Sequence, residues 1–325
     1  MRINIKVMPF KFSRLLVLCL SLALSAGAQT KKSAFYIVPL GIKGGIDESN
    51  LSAYMVGATG SNGYICLDAG TLHYGIEKAI GKHTFKVSAE KVLKQYIKGY
   101  FISHAHLDHV SGLIINSPED STKNIYGLAS CLETLKTHYF TWESWANFTD
   151  EGQKPQLKKY SYKPMEPKKP VTVDGTGLTV QVFPLSHSNL TGAAYLVKSN
   201  DAYLLYLGDT GPDEVEKSTR LRELWQAVAP LINKEQLKAI MIEVSYPNEQ
   251  PDKSLFGHLT PNWLMKEMSV LESYTGTGKL KNFNLIVTHV KPPEKNIRKL
   301  MQQLKQQNSF GLNLIFPQQG KAIRL

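Results

Sequence analysis

The stretch "FISHAHLDHVSGL", residues 101–113, places His104, His106, Asp108 and His109 within six positions. Imidazole nitrogens and a carboxylate at this density are ligands for a borderline metal ion, zinc above all, with iron or manganese as alternatives. The apolar run before the cluster reads as a strand, so the cluster reads as a loop at a sheet edge where alternate side chains converge on one point. His109 breaks that alternation. Two ions side by side would use both directions, His104 and His106 serving one, Asp108 and His109 the other. A merely polar or pH-sensitive loop is the plainer alternative, and three histidines with an acid in six positions argue against it.

Two ions need more ligands than four. His187 in "VFPLSHS", Asp209 in "LLYLGDTG" and His289 in "LIVTHV" each close an apolar run, where a strand would deliver them to the same edge. Any one alone is better read as a structural hydrogen-bonding residue; the repeated placement points to a shared site. Asp68 in "YICLDAG" shares the pattern, as a carboxylate that could orient a ligand histidine. His258 precedes a helix signal in "GHLTP", where helix capping is the competing role. Glu243 follows another apolar run, as a support for the ligands or a buried ion-pair partner. Lys291 reads as a solvated lysine before a phosphate contact, and His73, His83 and His138 lack convergent neighbours. Trp142, Trp145 and Phe148 offer either a purine-stacking face or packing for a loop.

These residues must be carried by a scaffold, and the chain alternates accordingly. "FYIVPL", "LSAYMVG" and "GYICLDAG" read as strands between Gly/Asn/Ser-rich turns. Helical spacing over 75–98 is interrupted near Gly81. "KGYFIS" is a strand running into the histidine cluster, and "VSGLIIN" a short helix after it. A strand "NIYGL", a helix over 130–139 and a long irregular segment to Pro170 follow. Then come "VTV", "LTVQVFPL", "AAYLVKS" and "AYLLYLGD" as strands, helices over 219–232, 261–274 and 293–306, and strands "AIMIEV", "NLIVTH" and "LNLIF". Strands dominate and helices close each half, which predicts sheet packed on sheet with helices outside.

At this point the motifs carry a resemblance. "HAHLDH" is similar to the H-x-H-x-D-H signature of the metallo-β-lactamase superfamily, and Asp68, His187, Asp209 and His289 stand where its other motifs fall. The resemblance implies an α/β fold, a four-layer αββα sandwich with a dinuclear site at one edge. It also implies that His104, His106 and His187 hold one ion, that Asp108, His109 and His289 hold the other, and that Asp209 bridges them. "HAHLDHVSGLIINSP" resembles the class II cyclic nucleotide phosphodiesterases throughout, as do "GDTGPD", "IEVSYPN", "GHLTP", "THVKP" and the tryptophan-rich "FTWESWANF". "SHSNLTGAAYLV" departs from that pattern, lacking the expected Ser/Thr pair before the strand, which leaves phosphate and base contacts open.

The resemblance implies hydrolysis of 3′,5′-cyclic AMP, and by extension cyclic GMP, to the 5′-monophosphate. Such chemistry needs a nucleophile at neutral pH, neutralised phosphoryl charge and a proton for the departing alkoxide. A hydroxide between two divalent ions, most simply Zn2+, meets the first need. Asp108 or Asp209 would orient it, and His258 is the candidate general acid. Two rivals stand beside this reading: the same metals acting on another ester, lactone or phosphodiester, and a non-catalytic metal- or ligand-binding protein. A missing ligand would favour the second, and none is missing.

Composition bounds the rest. The 325 residues are 42% hydrophobic and 20% charged, as in an ordinary globular protein. Arg2, Lys6, Lys11 and Arg14 precede the apolar "LLVLCLSLAL" and the small-residue exit "SAGAQ", the pattern of a secretory signal peptide over 1–28. The expected mature chain, 29–325, is then a single exported domain in the periplasm or medium, without stable membrane insertion. Cleavage would remove four basic residues and lower the net charge from +11 to +7. That excess is scattered, which argues against a nucleic-acid partner but suits a small anionic one. Cys66 and Cys131 read as two buried free thiols rather than a disulfide. Oligomeric state is not written in the sequence, with a homodimer one option.

Overall fold

In the computed structural model, the residues described are 1–6 and 33–325; the signal-like run lies largely outside them. Ser33–Leu325 forms one compact unit. Among the described residues the strands are β1 (Phe35–Gly41), β2 (Ala53–Ala58), β3 (Tyr64–Leu67), β4 (Ile97–Phe101), β5 (Lys123–Gly127), β6 (Tyr160–Pro164), β7 (Val171–Val173), β8 (Leu178–His187), β9 (Leu190–Ser199), β10 (Ala202–Leu207), β11 (Leu237–Glu243), β12 (Asn284–Thr288), β13 (Asn313–Ile315) and β14 (Ile323–Arg324). Helices are α1 (His73–Gly81), α2 (Ala89–Lys91), α3 (Leu107–Asn116), α4 (Ala129–Thr134), α5 (Asp213–Glu216), α6 (Arg220–Asn233), α7 (Pro261–Thr275) and α8 (Glu294–Gln307).

The strands form two seven-stranded sheets, ordered β14-β1-β2-β3-β4-β5-β6 and β13-β12-β11-β10-β9-β8-β7. Three apolar clusters give the layering. Ile37, Leu67, Phe101, Val180, Tyr195 and Met241 belong to a cluster drawn from both sheets, hence the inner layer. The outer face of the first sheet packs Val38 and Tyr100 against Ile76 of α1 and Leu113 of α3. The outer face of the second packs Leu205 and Ile240 against Trp225 of α6, Met268 of α7 and Leu300 of α8. Helix, sheet, sheet, helix is the predicted αββα sandwich. In α6 the buried positions Leu221, Leu224, Trp225, Val228, Ala229 and Ile232 form one stripe at helical spacing, so the helix can only sit with that face on the sheet.

The topology decides where side chains gather. β3, β4, β5 and β6 pair in parallel, so their carboxyl ends share an edge. In the second sheet β8, β9 and β10 are antiparallel neighbours, which points β8 and β10 the same way, and β10, β11 and β12 pair in parallel. The carboxyl ends of β3, β4, β8, β10, β11 and β12 carry Asp68, the His104 loop, His187, Asp209, Glu243 and His289 in turn. Crevices outside strand carboxyl ends are where open α/β sheets build sites.

Several expectations need correction. The histidine cluster is not all loop: α3 begins at Leu107, so Asp108 and His109 occupy its first turn. A carboxylate is favourable there, against the orphan N–H groups and positive dipole end. The helical stretch over 75–98 is three pieces, α1, α2 and a π-helical turn Val92–Tyr96, ending where β4 starts. The irregular segment to Pro170 contains β6, paired with β5. At the chain's end β14 closes the edge of β1. Cys66 and Cys131 are both free and buried. Among the described residues no helix is long and apolar enough to cross a membrane.

Candidate metal centre

Six of the nine histidines converge at the common edge, and His73, His83 and His138 lie on the surface. His104 Nε2 is 3.0 Å from His106 Nδ1, which is 3.4 Å from His187 Nε2. On the other side His289 Nε2 is 3.1 Å from Asp108 Oδ2, and His109 Nε2 is 4.0 Å from Asp108 Oδ1. Asp209 Oδ2 stands between the two triads. It lies 3.8 Å from His104 Nε2 and 3.9 Å from His187 Nε2, and 3.3 Å from both His109 Nε2 and His289 Nε2.

Do these residues fit metal ions? A tetrahedral shell with bonds of about 2.0–2.1 Å has donor–donor edges of about 3.3 Å, close to the separations found. Among the described residues the buried atoms His109 Nε2 and Asp209 Oδ1 have no hydrogen-bond partner, and a buried polar atom is rarely left so. Charge agrees. Burial holds His104, His106 and His187 below the ordinary histidine range, as neutral imidazoles with lone pairs to give. Burial also opposes a charge on His109, but the carboxylates of Asp209, Asp68 and Asp108 outweigh it and hold its pKa well above the usual range. A position where carboxylates draw a proton onto a buried imidazole is one that a cation would fill. Burial likewise opposes ionisation of Asp209, and His289, His109 and His258 overcome it, keeping the carboxylate ionised. The donor set fits two divalent cations.

A second ring of contacts aims the donors. Asp68 is fully buried and accepts from Ser103 N (2.7 Å), Ser103 Oγ (2.8 Å), His109 Nδ1 (2.7 Å) and the Tyr206 hydroxyl. That fixes the proton of His109 on Nδ1 and turns the Nε2 lone pair to the site. His187 Nδ1 donates to Gly257 O at 2.8 Å; Gly257 has φ +76°, and a Cβ there would stand 2.5 Å from that ring nitrogen. Gly44 passes equally close to His289, where a Cβ would meet the ring at 2.1 Å, and the next N–H, Gly45, donates to Asp108 Oδ2 at 2.9 Å. Asp68 and His289 are held at φ +54° and +51°, a backbone region costly for non-glycine residues.

His258 is buried and rings the same centre. Its Nδ1 lies 2.7 Å from Glu243 Oε1 and 3.7 Å from Asp209 Oδ2, and its Nε2 is 2.8 Å from Lys291 Nζ. Burial lowers its pKa to about 4, and burial with the charge of Asp209 lifts Glu243 to about 7. Lys291, read from sequence as solvated, is tied to this histidine. Ser245 Oγ donates to Glu243 Oε2 and lies 3.0 Å from His289 Nδ1. Sequence reasoning missed Ser103, Ser245, Gly45 and Tyr206, whose types carry no signal away from their contacts. Trp145 is half-buried and its Nε1 donates to Ser117 Oγ at the end of α3, and Trp142 Nε1 donates to Pro155 O, so the first ties the 140–160 segment to α3 and the second braces it internally.

The four-layer sandwich with its convergent imidazoles and carboxylates defines a metal-binding protein of the metallo-β-lactamase fold. Among solved structures it is similar to unliganded yeast PDE1, with a TM-score of 0.80 at 23% identity over 90% of this chain and 100% of that one. It is also similar to the metallo-β-lactamase fold protein YhfI from Bacillus subtilis, with a TM-score of 0.59 at 16% identity over 90% and 100%. Residues 33–320 match the family model for class-II cAMP phosphodiesterases. The 3′,5′-cyclic-nucleotide phosphodiesterase of Aliivibrio fischeri is 44% identical over 94% of this chain and 96% of its own, and a probable 3′,5′-cyclic-nucleotide phosphodiesterase of Yersinia pestis is 40% identical over 92% of each. The chain belongs to the class-II cAMP phosphodiesterase family.

Proposed function

We propose that this enzyme hydrolyses 3′,5′-cyclic AMP to the 5′-monophosphate at a two-metal centre. One triad, His104, His106 and His187, would hold the first ion, and Asp108, His109 and His289 the second. The observation that carries this reading is the Asp209 carboxylate, with one oxygen 3.3–3.9 Å from imidazole nitrogens of both triads. Three-nitrogen and mixed nitrogen/oxygen sets favour zinc. When bound, such ions would acidify a water to a pKa near 7 and neutralise charge on the phosphoryl oxygens.

The chain's own residues do the rest. Asp209 and Asp108 supply fixed negative charge that orients the attacking water opposite the leaving oxygen. Glu243 accepts the Nδ1 proton of His258 and so aims the ring, as a base is aimed by its orienting acid. A proton for the departing alkoxide is shared at His258 Nε2 with the Lys291 ammonium, 2.8 Å away. The segment 1–28 has the pattern of an export signal, so the domain 29–325 is proposed to act outside the cytoplasm.

A hydrolysis panel tests this reading: cyclic AMP, cyclic GMP, a 2′,3′-cyclic nucleotide, a lactone and a β-lactam, with metal content measured on the same sample. Turnover of 3′,5′-cyclic nucleotides with about two ions per chain is expected. Preference for the lactone or the β-lactam would overturn it.

A further inference from the structure

A cavity of about 460 Å3 adjoins the metal centre, sharing His104 and His106 with it. Its size falls within the roughly 300–1,000 Å3 of small-molecule sites. Three segments enclose it: the histidine loop, α4 with the turn after it, and the turn between β8 and β9. A phosphodiester seated on the centre must place the remainder of its bulk in adjoining space, and here that space is already walled.

Two residues give the cavity apolar faces. α4 runs into a π-helical turn, Leu135–Tyr139, a feature that recurs at functional sites. It leaves Tyr139 half-buried on the cavity wall, with its hydroxyl donating to Ala105 O at 2.9 Å. The ring is thus tied to the loop that carries His104 and His106. Opposite in the sequence, Leu190 is the ladder partner of His187 across a two-residue turn whose Ser188 has φ +53°. Cross-strand partners project to one face of a sheet, so Leu190 stands beside the ligand histidine, 40% exposed. Arg220 braces this hairpin by donating to Leu185 O and Thr191 Oγ1.

Two polar groups complete it. Thr134 Oγ1 donates its one proton to Ser130 O at 3.1 Å, so toward the cavity it offers lone pairs. Asn189 offers both a donor and an acceptor. On the major-groove edge adenine presents an amine beside an acceptor nitrogen, and guanine two acceptors. An acceptor-only hydroxyl with an adaptable amide, meeting that edge of the base, suits adenine better.

Resting on the phosphodiesterase reading, we infer that this cavity seats the purine, between the Tyr139 ring and Leu190, and that Thr134 with Asn189 favours adenine over guanine. The tryptophan-rich segment has no part in it.

The test compares cyclic AMP with 1-deoxyribose 3′,5′-cyclic phosphate, which lacks a base, in the wild type, Tyr139→Ala, Tyr139→Phe and Leu190→Ala. Calorimetry with adenosine 5′-monophosphate is run in parallel. The ratio of kcat/KM for the two substrates should fall about 5- to 150-fold in Tyr139→Ala, the range for losing one base–aromatic stack. It should fall less in Tyr139→Phe and in the same direction in Leu190→Ala, and nucleotide affinity should fall alongside. Thr134→Val should lower the cyclic AMP to cyclic GMP ratio. Unchanged ratios, or equal losses on both substrates, overturn the inference; if Tyr139→Ala does not fold, the exposed Leu190 variant decides. A wild type that binds the nucleotide through Tyr139 yet cleaves no cyclic nucleotide keeps the pocket and removes the phosphodiesterase reading. Cleavage with nucleotide affinity indifferent to both variants does the reverse.

Discussion

Replacing Asp68 by asparagine changes one atom, and the contacts of that atom set the outcome. Asp68 Oδ1 accepts from Ser103 N, and Oδ2 accepts from Ser103 Oγ, His109 Nδ1 and the Tyr206 hydroxyl, all in a fully buried setting. Asparagine has one oxygen. With that oxygen at the Oδ2 position, its amide hydrogens meet the Ser103 N–H, which cannot turn away. Reversed, they meet His109 Nδ1, which relieves the clash only by moving its proton to Nε2. That tautomer has no lone pair facing Asp108 and Asp209. The choice is between an unpaired buried donor, costing about 1–3 kcal/mol, and a ligand turned from acceptor to donor. Thermal stability should drop by about 2–12 °C, at about 2–4 °C per kcal/mol for a large domain. Affinity for the ion at Asp108, His109 and His289 should drop about 10- to 100-fold. Dialysis against graded chelator, with metal counted per chain, reads the affinity, and a scanning melt reads the stability. Asp68→Ala separates the two causes. It loses more stability, yet the vacated space admits a water that can accept from Nδ1, so it should hold the second ion more tightly than asparagine does. Wild-type affinity in Asp68→Asn, or tighter binding in asparagine than in alanine, would refute the tautomer argument.

Two further outcomes follow from the same geometry. Asp209→Ala should cut hydrolysis of cyclic AMP by about 1,000-fold or more, as several kcal/mol of transition-state charge stabilisation implies, while circular dichroism stays native; retained turnover would exclude a bridging role. His258→Ala should slow cyclic AMP, with its alkoxide leaving group, about 100-fold or more, and a p-nitrophenyl phosphodiester far less. Equal losses on the two substrates would mean that His258 donates no proton.

The part of this centre that was legible in the sequence is the part that sits on regular elements. His187, Asp209 and His289 each close an apolar run, and a strand's carboxyl end is a definite place. The convergence of the four candidate donors between His104 and His109 was legible through their spacing, although α3 starts at Leu107 and only half of them lie in a loop. Asp108 sits in the first turn of that helix without capping it, and an acidic residue beside histidines reads first as a ligand. The π-turn that presents Tyr139 is invisible to a 3.6-residue period, and β14 is two residues long. Ser103 and Ser245 were illegible for a different reason. Serine is common everywhere, and its meaning here comes from the carboxylates that the topology brings over from β3 and β11.

Charge explains why so much support surrounds so few ligands. Asp68, Asp209 and Glu243 are buried at one edge, with Asp108 only partly covered. Such carboxylates are costly to bury unless paired. The protein pairs Asp68 with donors from both sheets, and among the described residues Asp209 Oδ1 has no hydrogen-bond donor. Satisfying Asp209 in the same manner would have stabilised the fold and closed the site. The backbone repeats the pattern, since holding Asp68 and His289 at positive φ costs about 1–3 kcal/mol each. Those costs fall on the residues at the ends of β3 and β12, and on neighbours such as Gly44 and Gly257 that must stay small for the rings to fit. Ion binding would offset them, because it satisfies the orphan atoms and the excess charge together. Local stability at this edge is therefore given up so that the donors of both sheets converge on one centre.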